Sequence, residues 1–244
     1  MPVGIIAGTA IYNIPFIEME EKTVHTAYGD AIVLLGKGEN DDLVFIPRHG
    51  PNHTTPPHKV NYRANIQALV DLGVKYTLAT YAVGSINPQI PPMGLVAVDD
   101  FLDFTKDRES TFFDGLGTPV KHVDMSIPFC PKLRTELLRN ASQLGLFIKP
   151  SGTYVCTNGP RLESPAEIRM YEKLGGDVVG MTAVPEVVLA KERELCFAAV
   201  CFSVNWAAGI KEEIQFVESG LIDLSNSLMS LFISTLRTMV KQGT

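Results

Sequence analysis

The 244-residue sequence predicts an α/β fold, a single domain with a central mixed, largely parallel twisted sheet flanked by helices. Three observations lead there. Short apolar runs alternate with segments of helical periodicity along the chain. The runs are apolar throughout, as expected of strands covered on both faces. No internal repeat, low-complexity tract or linker divides residues 1–244; the clusters Pro51–Pro57 and Pro88–Gly94 are short enough to be shaped loops.

Val3–Gly8 reads as a buried opening strand, without the basic flank and long apolar core of a signal peptide. Further strands are expected at Ala31–Leu35, Leu43–Pro47, Tyr76–Thr80, Leu95–Val98, Gly152–Cys156 and Phe197–Val204. Helices are expected at Val60–Leu72, Lys132–Leu144, Pro165–Leu174, Pro185–Arg193 and Leu221–Val240. In the first helix, Ile66, Leu69 and Val70 share an apolar side. Gly73, Gly145 and Gly175 stand where helix C-termini should be, and Ser164-Pro165 supplies an N-cap followed by proline at the first helical position.

Composition narrows the function classes. A net charge of −6 gives no basic face for non-specific nucleic-acid binding. No apolar run approaches the roughly 18 residues of a membrane span. Cys130, Cys156, Cys196 and Cys201 lack metal-ligand spacing and read as small reduced hydrophobes of a cytoplasmic protein. His49, His53 and His58 are close in sequence, but no Cys or acidic partner accompanies them at zinc-ligand spacing, so no metal site is expected.

Six segments at predicted strand ends carry the chemistry. Gly8-Thr9-Ala10 can offer backbone N–H groups and a hydroxyl to an anion, although it lacks both the P-loop and the dinucleotide glycine patterns. Phe45–His53 delivers an Arg48-His49 pair; arginine suits bidentate phosphate contact and histidine can add a hydrogen bond. Thr80–Ile86 reads as a strand ending in a small-residue turn. Thr157–Glu167 is a polar turn entering a helix, and Val179–Glu186 is a strand entering one. Ser203–Gly209 is an apolar strand ending in the amide of Asn205. In an open parallel sheet, ligands gather beyond the carboxyl ends of strands.

Together these segments resemble the trimeric nucleoside phosphorylase family, which contains the purine nucleoside, methylthioadenosine and methylthioinosine phosphorylases. The most specific blocks are Arg48-His49-Gly50 with Lys59–Asn65, Thr157–Arg161, and Gly180–Glu186. The resemblance implies a phosphate site from Thr9, Arg48, His49, the backbone at Ala82, and Thr182. It places Met181 against the ribose, Leu162 near the base, and Glu163 and Asn205 at the purine edge. His53 and His122 match positions lining the sugar 5′ pocket, with His122 reaching in from a neighbouring subunit of a homotrimer or a hexamer of paired trimers. Asn205, Glu163 and His49 become the catalytic candidates, orthophosphate a co-substrate, and no metal or organic cofactor is implied. Two positions depart from the pattern: Ala10 stands where many relatives have Gly, and Tyr81 replaces a small polar residue beside the phosphate. The Tyr81 hydroxyl could face the phosphate or point away.

The purine edge can be read from hydrogen-bonding logic. A 6-oxopurine presents O6 as acceptor and N1–H as donor. Asn205 can donate to O6 and accept from a protonated N7, while an ionised Glu163 accepts from N1–H. Ala207 stands where methylthioadenosine phosphorylases typically carry the second Asp of Asp-x-Asp, and cannot accept from an exocyclic amine. A mismatched buried edge costs roughly 1–3 kcal/mol, enough for about 10- to 100-fold discrimination. The Arg48–His53 loop and the stretch Lys121–Asp124 resemble the methylthio-nucleoside branch, and the lining expected around Ile214, Phe216 and Val217 is apolar, so S-methyl-5′-thioinosine is the favoured substrate, with inosine and guanosine as further 6-oxopurine candidates. Alternatives are a methylthioadenosine phosphorylase, a non-catalytic purine or phosphate binder, and a nucleoside hydrolase.

Overall fold

The computed structural model describes residues 1–115, 117–217 and 219–243. In chain order the elements are β1 (Val3–Ala7), β2 (Met19–Thr26), β3 (Gly29–Gly36), β4 (Leu43–Pro47), α1 (Tyr62–Asp71), β5 (Tyr76–Ser85), β6 (Leu95–Ala97) and β7 (Asp100–Asp103). They continue with α2 (Pro131–Gln143), β8 (Thr153–Cys156), α3 (Pro165–Lys173), β9 (Val178–Gly180), α4 (Ala183–Glu192), β10 (Cys196–Trp206) and α5 (Leu221–Gly243).

The strands form one mixed sheet along the path β2-β3-β4-β1-β5-β9-β8-β7, with β10 paired to β5 and β6. β1 is parallel to β4 and β5, and β7, β8 and β9 are mutually parallel where they pair. Among the described residues antiparallel pairing is confined to β2-β3, β3-β4, β5-β9 and β6-β10. β5 is the keystone: Thr77–Ala79 pairs with β1, Gly84 and Ser85 pair with β9, and β10 runs beside it from Tyr76 to Ser85.

The two-residue period of the strands sends alternate side chains to opposite faces. Ile6, Val44 and Ile46 join a core with Ile66, Leu69 and Val187 of α1 and α4. Ile5, Leu43 and Phe45 join the opposite core with Leu133, Leu137, Leu228 and Phe232 of α2 and α5. Full burial of each such side chain contributes about 1.5–3 kcal/mol. A third cluster holds α3 through Ile168 and Tyr171.

Several local expectations hold. Ser164 and Glu167 form a reciprocal capping box at the start of α3, with Pro165 at the predicted position. Gly73, Gly145 and Gly175 lie just past α1, α2 and α3 with positive φ. The span of α4 opens at Ala183, but Val184 is extended (φ −111°, ψ 129°), so the regular helix starts at Pro185 as expected.

Three differences are larger. β2 lacks an apolar signal because it is an edge strand whose side chains are largely exposed, with Glu20, Glu21 and Lys22 among them. β5 runs on through Ser85, so Ala82 sits inside a strand rather than in a turn. Cys130 and Cys196 form a disulfide, which corrects the expectation of four reduced cysteines. Their separation of 66 residues carries no pairing signal; the packing of α2 on β10 brings their Cα atoms to 5.2 Å. Cys156 and Cys201 are free and buried; burial pushes the Cys156 thiol up to about 12 and raises that of Cys201. Among the described residues no helix is long and apolar enough to cross a membrane.

Candidate active site

β4 ends at Pro47 and hands the chain directly to Arg48 and His49, both buried. The Arg48 amide donates to the Ala7 carbonyl at 2.7 Å, which ties the start of this loop to the end of β1. The loop closes on itself. The Thr55 amide donates to the His49 carbonyl at 3.0 Å, and His49 Nδ1 lies 2.8 Å from the Thr55 carbonyl. A carbonyl only accepts, so Nδ1 carries the proton. Burial lowers the His49 imidazole to about 4, helped by Arg48 and His53 and opposed by the Thr55 bond. His49 is therefore neutral at pH 7, with Nε2 as an acceptor.

Gly8 makes this crowding feasible. A Cβ there would lie 2.8 Å from Arg48 Nη1 and 2.9 Å from His49 Cδ2. Beyond it, Thr9 and Ala10 form a turn closed by the Ile11 amide on the Gly8 carbonyl. Ala10 adopts φ 68°, a conformation that favours glycine.

Arg48 has a partner that local sequence does not signal. Its Nε and Nη2 donate to Oε2 and Oε1 of Glu186 at 2.7 and 2.9 Å, and its Nη1 to the Thr80 carbonyl at 3.1 Å. Both side chains of the pair are sealed from solvent. Burial disfavours the charged guanidinium, but Glu186 outweighs it and holds the value above the ordinary one. Three of five N–H donors are thus engaged, leaving one on each Nη. Tyr81 resolves its two orientations by pointing away from the cavity. Its hydroxyl donates to Glu186 Oε1 at 2.6 Å, and its ring lies 4.5 Å from the Arg48 guanidinium carbon. Burial, reinforced by the Glu186 charge, pushes the Tyr81 phenol well above its usual range.

The opposite wall comes from three further segments. Thr182 caps α4 without using its hydroxyl, and its amide donates to the Tyr154 hydroxyl at 3.3 Å. The Thr157 hydroxyl donates to Glu163 Oε1 at 2.6 Å, so this carboxylate is oriented from behind. β10 carries a bulge at Val204: Ser203 faces Val83, and Asn205 faces Gly84. The extra residue lets Val204 and Asn205 both line the cavity. Asn205 Nδ2 donates to the Trp206 carbonyl at 2.7 Å, which leaves its second N–H for a ligand.

One cavity of about 620 Å³ gathers these groups. Thr9, Arg48, His49, Ala82 and Thr182 line it, together with His53, Leu162, Glu163, Met181, Asn205 and Ala207. Ile214 and Phe216 add an apolar wall. Val217 is not in the lining; its amide donates to the Val204 carbonyl at 2.8 Å. His122 is exposed and outside the cavity of its own chain. Among the described residues no group of three or more His, Cys, Asp or Glu could hold a metal.

Sequence reasoning missed Glu186 as the partner of Arg48. A trace was present, since Glu186 is the one acid between Ala183 and Ala190 in an otherwise apolar helix start. A buried acid of that kind calls for a buried cation. Arg108 was also missed: it donates to the carbonyls of Thr157, Asn158 and Val184 and so fixes the Glu163 loop against α4.

Residues 2–233 match the model of the phosphorylase superfamily. The chain is 43% identical over 249 residues to the 6-oxopurine nucleoside phosphorylase of Pyrococcus furiosus, covering 98% of this chain and 94% of that one. It is 48% identical over 217 residues to a Methanopyrus kandleri protein named "Probable S-methyl-5'-thioinosine phosphorylase", covering 88% and 83%. Among solved structures, the methylthioadenosine phosphorylase of Schistosoma mansoni in complex with adenine superposes with a TM-score of 0.87. The sequence identity is 28%, with 99% of this chain and 92% of that chain covered.

Proposed function

The chain belongs to the phosphorylase superfamily and is a purine nucleoside phosphorylase, a pentosyltransferase, and on that premise we propose that it acts on 6-oxopurine nucleosides, S-methyl-5′-thioinosine first among them. The observation that carries this is the shared cavity. An anion cradle around Arg48 and His49 and a purine-edge pair, Glu163 and Asn205, line the same 620 Å³ space.

Phosphate sits beneath the sugar, held by Thr9, the free N–H groups of Arg48, His49, the backbone at Ala82, and Thr182. The C1′–N9 bond breaks with its electron pair passing to the purine, and a phosphate oxygen forms the new bond to C1′ with inversion. The products are the free base and (methylthio)ribose 1-phosphate. Holding both reactants in line supplies much of the advantage. The Asn205 amide stabilises negative charge on the departing base, and Glu163 accepts from N1–H. Met181 packs on the ribose and Leu162 near the base, while Ala207 leaves no carboxylate to accept from an amine at C6.

The apolar side chains of Ile214 and Phe216 favour a 5′-methylthio group. His53 and the partner subunit's His122 complete the 5′ pocket in a homotrimer, alone or paired into a hexamer. The reaction draws on orthophosphate as co-substrate and needs no metal or organic cofactor, nucleic acid or membrane. A cytoplasmic location suits nucleoside salvage chemistry, although the Cys130–Cys196 bond removes the thiol argument for it.

The test is base release from methylthioinosine, inosine and methylthioadenosine, with and without phosphate. Phosphate-dependent cleavage with methylthioinosine preferred is expected. Preference for methylthioadenosine would overturn the edge-matching argument, and cleavage without phosphate would indicate a hydrolase. Asn205→Ala should lower turnover about 100- to 1,000-fold with the fold intact.

A further inference from the structure

We infer that His49 makes the phosphate site selective for an anion that carries a proton, phosphate or arsenate, against anions of the same shape that carry none. This rests on the phosphate site proposed above and specifies what that site recognises.

The geometry is in the loop closure. Nδ1 is committed as a donor to the Thr55 carbonyl at 2.8 Å, and the Thr55 amide holds the His49 carbonyl in return. The ring is therefore fixed in one orientation, with Nε2 as its free atom. Nε2 has no hydrogen-bond partner among the described residues and lies 3.2 Å from where a Gly8 Cβ would stand, next to Arg48 Nη1. The charged and titratable groups against the ring are Arg48 on the same segment and His53, whose ring centroid is 4.7 Å away.

A neutral ring so held presents a lone pair to the anion. Hydrogen phosphate has one P–OH to donate to it, while its other oxygens accept from Arg48, Thr9 and Thr182. Sulfate and monofluorophosphate have the same charge and tetrahedral shape but no proton, so they meet the lone pair with an oxygen or a fluorine. To accept from Nε2 they require a protonated imidazole. Burial beside Arg48 lowers the ring to about 4, so that state costs up to about a thousandfold in affinity at pH 7.

The experiment measures phosphate and arsenate as co-substrates, and sulfate and monofluorophosphate as competitors against phosphate, at pH 7.5. In the wild-type enzyme both proton-free anions should bind at least about tenfold more weakly than phosphate. His49→Gln offers an amide that can either accept or donate, so it should bring the ratio to within about threefold even if turnover falls. Sulfate or monofluorophosphate competing within about threefold of phosphate in the wild type would overturn the inference while leaving phosphorolysis in place. An unchanged ratio in a folded His49→Gln would overturn it too. If that variant does not fold, the wild-type ratio decides alone. Absence of phosphate-dependent base release would sink the functional reading itself, and this inference with it.

Discussion

Arg48 and Glu186, 138 residues apart, meet through two hydrogen bonds in an ion pair closed to solvent on both sides. The pair welds the end of β4 to the first turn of α4, and so joins the loop bearing His49 to the helix that follows Thr182. Glu186→Ala leaves an uncompensated buried guanidinium, costing about 3–5 kcal/mol of stability. The midpoint of thermal unfolding should drop by on the order of 10 °C, with the KM for phosphate rising far more than that for nucleoside. A midpoint unchanged in calorimetry would show the pair to be dispensable.

Tyr81 separates two roles usually hard to distinguish. Its hydroxyl bonds Glu186 and does not face the cavity. Tyr81→Phe should therefore cost about 1.5–3 kcal/mol through the lost bond to a charged group, with the KM for phosphate unchanged within twofold. Urea denaturation and initial-rate kinetics measure the two. A large increase in the phosphate KM with full stability would reverse the assignment.

Ala10 holds a positive φ of 68°. Ala10→Gly should relieve about 1 kcal/mol of backbone strain and raise the unfolding midpoint by about 2–4 °C. A lowered midpoint would mean that glycine's greater freedom in the unfolded chain outweighs the relief.

His49 couples stability to pH. Its folded value, about 4, lies below the unfolded 6.5, so the unfolded chain binds the extra proton between those limits. Its contribution is fully present above pH 6.5 and is lost as pH falls towards 4. The loss reaches at most about 3 kcal/mol, less what solvent in the cavity screens. Denaturant titrations at about pH 7 and pH 4.5 should show a larger drop for the wild type than for His49→Gln. Equal drops would contradict the shift.

The Cys130–Cys196 bond closes a loop of 66 residues between the start of α2 and the start of β10. Reduction should cost about 4 kcal/mol on the chain-entropy account. Thermal unfolding with and without reductant, compared with Cys130→Ser, measures it; identical curves would mean that the cysteines are reduced in solution.

What the sequence revealed was mostly what local physics controls. Ile5 and Ile6, buried on both faces of a central strand, announce β1 by apolar character alone, and Ser164-Pro165 with Glu167 announces α3 by its cap. Charged β2 could not announce itself, since an edge strand needs no apolar period. The cavity set was legible because its members cluster in short blocks around strand ends. The Glu186 partnership, the turning of Tyr81 and the disulfide depend on contacts between segments far apart in the chain. Nothing within a few residues of Glu186 or Cys196 encodes which distant group it will meet.

The bulge in β10 has a consequence for how this site could be lost. Pairing with β5 resumes in step at Asn205 and Trp206, so the ladder closes on both sides of Val204. Were Val204 drawn into the ladder opposite Gly84, Asn205 would slip opposite Ser85 and its amide would turn to the other face of the sheet. No functional residue would have been replaced, yet the purine wall would be gone. Register at this point is part of the recognition chemistry, and an error of phase is as damaging there as an error of spelling.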